Sequence, residues 1–258
     1  MFEPFWPQKV PVIRHWNINQ YLRPDNRHET FISPAKAILA GKINRSLWVD
    51  QFNTKLIARK RLIKDIRANL LLKWIKTQFP EIPIVMVLRH PCAVAHSKLK
   101  LGWKNNLEEF LNQPELMEDF LHPFKGAIES CTSDFETYIF FWCIQNYVPL
   151  KQFTPGEMHL VFYENLCTDP EGETRRLFSF LERDYRPEVM EAVEKPSALS
   201  RKGESAIITG DSLVDSWRRH IPDEQIQKAM EILSMFGLQK IYNEGSLPLM
   251  TNGNSHTL

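Results

Sequence analysis

IPIVMVLRHPCAVAHSKLKLGW, residues Ile82 to Trp103, carries a β-branched apolar run straight into Arg89, His90 and Pro91, with Ser97 eight positions after the arginine. The run Ile82 to Leu88 is short and continuously apolar, as a parallel strand covered on both faces should be. Pro91 suits the first position of a following helix, so the strand-to-helix switch falls at Arg89 and His90. In open α/β sheets ligands gather at the carboxyl ends of strands, where helix amino termini favour anions. Arg89 is placed to meet such an anion, because a planar guanidinium fork matches phosphate better than a lysine point charge. Ser97, about two helical turns further on, can add a hydroxyl from the same helix. A surface arginine beside a helix cap is the plainer alternative, since one short motif specifies little.

The wider sequence supplies the frame for that segment. With 258 residues and 43% apolar content, the chain can bury the core of a single domain, expected over residues 1–242, with a disordered Gly-, Asn- and Ser-rich tail over 243–258. A net charge of +1 gives no general reason to expect nucleic acid or an anionic membrane as partner. Arg59, Lys60, Arg61 and Lys64, and then Arg218, Arg219 and His220, are local basic clusters that serve either an anion or a solvated face. Cys92, Cys131, Cys143 and Cys167 lack zinc-site spacing and read as thiols of a reducing compartment. Neither a signal peptide nor a membrane-length apolar run is evident, so a cytoplasmic protein without a membrane span is expected.

Along the chain, residues 1–35 read as irregular, followed by helices over Pro34 to Ile43 and Leu47 to Lys60 and a strand over Arg61 to Ile66. Ala68 to Phe79 has helical apolar spacing, and Leu107 to Leu121 continues in helical register. Asp134 to Tyr147 reads as a buried helix ended by Pro149, and Met158 to Tyr163 as a strand. Asp169 and Pro170 cap the next helix, with Leu177, Phe178 and Leu181 as its buried face. Residues 187–216 weaken into a polar loop, and a last helix spans Asp223 to Phe236 with Gly237 as its stop.

The spacing Arg, any residue, Pro, five residues, Ser after an apolar strand resembles the 3′-phosphate segment of sulfotransferases that use 3′-phosphoadenosine 5′-phosphosulfate. RLIKDIRANLLLKWIKTQFP (Arg61 to Pro80) is similar to the strand and helix preceding that segment in bacterial members. LVFYENLCTDPEGETRRLFSFLE (Leu160 to Glu182) resembles the family's strand, Tyr-Glu-Asp-Leu turn and helix, with Asn165 in place of the usual Asp. SRKGESAIITGDSLVDSW (Ser200 to Trp217) resembles the loop that closes over the nucleotide. The resemblance implies an α/β fold with a P-loop-NTPase-like parallel sheet flanked by helices. It also implies sulfuryl transfer to a hydroxyl or amine of a small-molecule, glycan or lipid acceptor, with no metal.

By the same resemblance Arg89 and Ser97 bind the 3′-phosphate, Arg201, Lys202 and Gly203 close on it, and Tyr163 lies near the adenine. Lys64 falls where several groups of the family balance the leaving bridge oxygen. A strand-end tyrosine packed on the core and an exposed strand-end lysine are the plainer alternatives for the last two. His90, His96, His122, Asp65 and Glu164 are all candidates for the general base that takes the acceptor proton. Acceptor choice is assigned to Leu101 to Cys131, where Trp103, Phe110, Phe120 and Phe124 either stack on the acceptor or belong to the core.

The family's Gly/Ser/Thr-rich 5′-phosphosulfate loop has no counterpart in the 258 residues, which hold only 10 glycines and no Walker-type run. The first strand and phosphate loop are therefore expected to be missing, through truncation or through decay to a form with negligible transfer activity. A P-loop nucleotide kinase or other NTPase, and a noncatalytic nucleotide-binding remnant, are the alternatives.

Overall fold

The computed structural model describes residues 2–43, 61–192 and 212–250. The chain divides into two compact units, Met1–Ile82 with Leu107–Lys125, and Pro83–Asn106 with Gly126–Leu258.

The first unit is built around tryptophans and a few satisfied polar groups. Helix α1 (Glu29–Leu39) begins five residues before the expected Pro34, because the His28 side chain accepts from Thr30 N–H and starts the helix there. It ends short of Ile43 because Gly41 turns left-handed at φ 67°, the conformation glycine adopts without a Cβ penalty. Trp16 packs on Phe31 at 5.2 Å and edge-on to Trp74 of α2 (Leu72–Gln78) at 6.5 Å. The Leu107 to Leu121 region is not one helix but short pieces, Glu108–Leu111, Pro114–Leu116 and Met117–Leu121. Pro114 breaks the register, and the buried Gln113 before it joins the pieces to the N-terminal segment. Its carboxamide accepts from Tyr21 N–H at 2.8 Å and donates to the carbonyls of Asn19 and Glu109.

The expected strand Arg61 to Ile66 is reduced to a single parallel bridge between Phe2 and Lys64. Lys64 C=O accepts from Glu3 N–H at 2.6 Å, and polar side chains tie the two segments: Asp65 accepts from the N–H groups of Phe5 and Arg67, and the Arg67 side chain pairs with that of Glu3 at 2.8 Å. The helix expected over Leu47 to Lys60 lies outside the described residues.

The second unit holds the parallel sheet that the sequence implies. Strands β1 (Ile84–Leu88) and β2 (Met158–Phe162) pair in parallel with Ile84 opposite Met158 and Leu88 opposite Phe162. Ile84, Met86 and Leu88 are buried while Val87 is exposed, so β1 follows the period-two pattern of one covered face. Only these two strands form a sheet among the described residues, and the α/β class is realised in a helix-rich form.

Helix α3 (Pro91–Lys100) follows β1 and packs against α4 (Asp134–Gln152). Ser133 and Glu136 form a reciprocal cap at the start of α4. Pro149 does not end α4, because it sits in the last turn where losing one backbone bond costs little next to the burial of Val148 and Leu150. Helix α5 (Tyr163–Thr168) begins one residue after β2, and α6 (Pro170–Phe180) is capped by Asp169 accepting from Gly172 N–H at 3.0 Å.

The buried positions of α6 are Glu173 and Thr174, whereas Leu177, Phe178 and Leu181 are only half covered. Arg176 makes the buried carboxylate tolerable by holding Glu173 at 2.6 Å. Helix α7 (Asp223–Met235) buries Ile226, Ala229 and Leu233 and stops at Gly237, φ 71°. Residues 243–250, read from composition as part of a tail, make defined bonds: Leu249 N–H donates to Ile241 C=O at 2.8 Å, and Ser246 accepts from Arg218. No helix among the described residues is long and apolar enough to cross a membrane.

Candidate anion-binding site

The register of the two strands builds the site. Since Leu88 lies opposite Phe162 in a parallel pair, the next residues, Arg89 and Tyr163, leave the sheet side by side at its carboxyl edge. The Arg89 guanidinium lies over the Tyr163 ring with Cζ 4.3 Å from its centre, a contact worth about 0.5–2 kcal/mol depending on how far water is excluded. Burial pushes the Tyr163 phenol up, and the neighbouring Arg89 charge pulls it the other way. Arg89 has no carboxylate partner among the described residues, so its fork is not spent on an internal ion pair. Its backbone is fixed separately, the Arg89 carbonyl accepting from the Trp142 indole N–H at 3.0 Å.

Behind Arg89 lies a buried scaffold of acid, imidazole and phenol. Glu164, 1% exposed, accepts from His90 N–H at 2.8 Å with one oxygen and from the Tyr242 hydroxyl at 2.7 Å with the other. Two donors on one buried carboxylate meet the requirement that buried charge be hydrogen-bonded. His90 is buried as well; its Nδ1 accepts from Cys92 N–H and its Nε2 lies 3.0 Å from the Asn243 carbonyl. A carbonyl can only accept, so the ring is the neutral Nε2–H tautomer. Burial pulls its pKa down to about 4, the Asn243 carbonyl opposing and the Arg218 and Arg89 charges adding to the fall. Trp217 stacks on the ring at 4.4 Å and Tyr242 meets it edge-on at 5.1 Å.

These contacts remove several expected roles. The amino terminus of α3 does not offer a free anion cradle, because Cys92 N–H is taken by His90 and the first turn is buried. His90 and Glu164 are both buried and hold the turn, so neither is exposed to an incoming acceptor. Asp65 spends both oxygens on backbone N–H groups, and burial raises it to about 6. His122 is exposed in the first unit. His96, one residue before Ser97, is half-buried and stacked on His220 at 4.7 Å. Burial lowers its pKa, and His220, Lys100 and Arg89 lower it further, so it stays neutral and basic near pH 7. The Cys92 thiol, pushed up to about 12 by burial, is not a nucleophile.

Of the residues named from sequence, the structure brings Arg89 and Tyr163 into contact and sets Ser97, exposed, on the helix that follows Arg89. Lys64 belongs to the first unit, where its ammonium sits 5.5 Å from the Phe2 ring and the side chain is exposed. Arg201, Lys202 and Gly203 lie outside the described residues. Phe110 is fully buried and Phe120 packs edge-on to Tyr21 at 5.7 Å, so both belong to the core of the first unit. Tyr242 and Trp142 carried no sequence signal for the site: each is an ordinary apolar-face aromatic until the fold brings it to the β1 turn.

A half-buried arginine with no acid partner among the described residues, at the carboxyl edge of a parallel strand and backed by buried polar groups, marks the candidate site of an α/β domain. The family model described as sulfotransferase domain matches residues 36–243, well over half of the chain, and the chain belongs to that family. Among solved structures, the "Sulfotransferase Domain from the Curacin Biosynthetic Pathway" is similar at 14% identity and a TM-score of 0.40, covering 68% of this chain. The chain spans 63% of the length of that structure. No curated protein matches.

Proposed function

We propose that the second unit binds the 3′-phosphate of 3′-phosphoadenosine 5′-phosphosulfate through Arg89 and Ser97, and that the protein serves sulfuryl transfer to a hydroxyl or amine acceptor. The observation that carries the reading is the Arg89 fork laid on Tyr163 at the sheet's carboxyl edge, with no carboxylate partner among the described residues. Arg89 supplies the bidentate contact to the monoester and Ser97 a hydroxyl. Tyr163 holds the fork in place and offers its ring edge toward the purine.

In the transfer, the bond from sulfur to the donor's bridging oxygen breaks as a bond from sulfur to the acceptor oxygen or nitrogen forms. The acceptor proton leaves to a base, and 3′,5′-bisphosphoadenosine departs. His96, neutral and half-exposed, is the candidate base that the contacts above leave open. The arrangement requires charge to be held rather than covalent chemistry done by the protein, which matches an in-line displacement with charge spread over the moving oxygens. Lys64, Arg201, Lys202 and Gly203 keep their proposed roles by family resemblance alone.

Isothermal titration with 3′,5′-bisphosphoadenosine and with 5′-AMP tests the reading. The bisphosphate is expected to bind at least about tenfold tighter, and Arg89→Ala to abolish that preference, since a charge-assisted bidentate pair contributes about 1.5–3 kcal/mol. Equal affinity for the two nucleotides removes the 3′-phosphate assignment.

A further inference from the structure

The carboxyl end of α3 and the turn after it, SKLKLGWKNN (residues 97–106), present an unusual surface. Leu99, Leu101 and Trp103 are 38%, 51% and 47% exposed, three large apolar side chains within five residues. Lys98, Lys100 and Lys104 alternate with them, and no acid occurs between Ser97 and Asn106, although the chain as a whole is balanced at +1. Isolated exposed leucines need no explanation, but three large apolar side chains within five residues, interleaved with charge of one sign, do.

The segment is rigid. Gly102, at φ 64°, closes α3 with Gly102 N–H donating to Leu99 C=O at 3.0 Å and Trp103 N–H donating to Lys98 C=O at 3.2 Å, the paired bonds of a Schellman stop. The Tyr138 hydroxyl donates to the Trp103 carbonyl, tying the turn to α4. Lys98 folds inward over Phe141, its ammonium 4.7 Å from the ring centre, and braces the helix end. Lys100 and Lys104 remain exposed beside the leucines and the indole. An exposed Trp and leucines in one short turn, with lysines interleaved, match the lipid interface. There the indole favours the headgroup layer, apolar chains reach the acyl boundary and ammonium groups meet lipid phosphates. A sugar-stacking platform would use the Trp but gains little from two exposed leucines.

We propose that this segment docks the protein on an anionic lipid surface, with Leu99, Leu101 and Trp103 entering the headgroup layer and Lys100 and Lys104 facing lipid phosphates. The proposal stands apart from nucleotide binding, because none of these side chains is part of the Arg89 site.

Vesicle cosedimentation of the full chain decides it, using phosphatidylcholine alone and phosphatidylcholine with about a third phosphatidylglycerol. Binding is expected only to the anionic vesicles, weakening as salt is raised. The double variant Leu101→Ser with Trp103→Ser, and separately Lys100→Glu with Lys104→Glu, should each lower the partition coefficient at least about tenfold. If the apolar pair disturbs folding by circular dichroism, the lysine pair decides, since both side chains are exposed. No vesicle binding by the unaltered chain, or equal binding by the lysine variant, overturns the proposal. So does capture of a soluble acidic oligosaccharide through these residues without vesicle binding.

Discussion

Acidification should unlock the turn that carries Arg89, through His90. Its folded-state pKa of about 4 lies below the ordinary 6.5, so between those values the unfolded chain binds the proton and the folded chain does not. His90 therefore contributes stability that is fully present above about pH 6.5 and is lost progressively as pH falls toward 4. The gap of about 2.5 units, at about 1.4 kcal/mol each, amounts to roughly 3 kcal/mol, a large part of the 5–15 kcal/mol of a typical domain. Burial is the main cause of the fall; the Asn243 carbonyl opposes it by favouring the charged ring, and the Arg218 and Arg89 charges add to it.

Asp65 acts with the opposite sign in the first unit. Its folded pKa of about 6 stands above the ordinary 3.8, so stability rises as pH falls through that window. A whole-chain melting curve would blend the two effects. Urea unfolding of the unaltered chain and of His90→Asn, at steps from pH 7 to pH 4, isolates the imidazole by difference. Asparagine keeps an acceptor for Cys92 N–H but cannot gain a proton. The difference should shrink by roughly 3 kcal/mol over that range, and parallel curves, or a His90 ring resonance titrating near 6.5 in the folded protein, would refute the argument.

Tyr242→Phe strands one oxygen of the buried Glu164 and should cost about 1–3 kcal/mol in urea unfolding at neutral pH, with little change in the tryptophan environments of the first unit. Arg89→Lys keeps the charge but loses the fork and most of the contact with Tyr163, so titration with 3′,5′-bisphosphoadenosine should show affinity reduced about tenfold; full retention would mean that charge alone is read.

Sequence reasoning reached the features whose causes are local. The β1-to-α3 switch follows from an apolar run meeting Pro91, and the α6 cap from Asp169 before Pro170; both stand as read. Periodicity misplaced what tertiary contacts decide. Arg61 to Ile66 reads as a strand, yet it forms only a bridge to Phe2, with Lys64 C=O accepting from Glu3 N–H, while Asp65 turns its carboxylate to the N–H groups of Phe5 and Arg67. The α6 helix buries an acid that Arg176 neutralises, which no apolar pattern announces. At the site, Arg89 was legible because chain direction alone places it at a strand end. The tie between His90, Glu164 and Tyr242 was not, because Tyr242 lies 78 residues beyond Glu164 and no spacing rule joins them.

The placement of Arg89 is set by residues that never touch a ligand. β1 buries Ile84, Met86 and Leu88, and a pairing shifted by one residue would turn all three to the opposite face. The burial of those side chains thus fixes Leu88 opposite Phe162, and with it Arg89 beside Tyr163. Glu164 then locks the next turn from β2's side to the N–H of His90 on β1's side, so the two strand ends cannot part without exposing a buried carboxylate. A guanidinium laid on Tyr163, with its backbone carbonyl held by Trp142, has less freedom to lose on meeting an anion, and the proposed 3′-phosphate contact would draw on that low ordering cost.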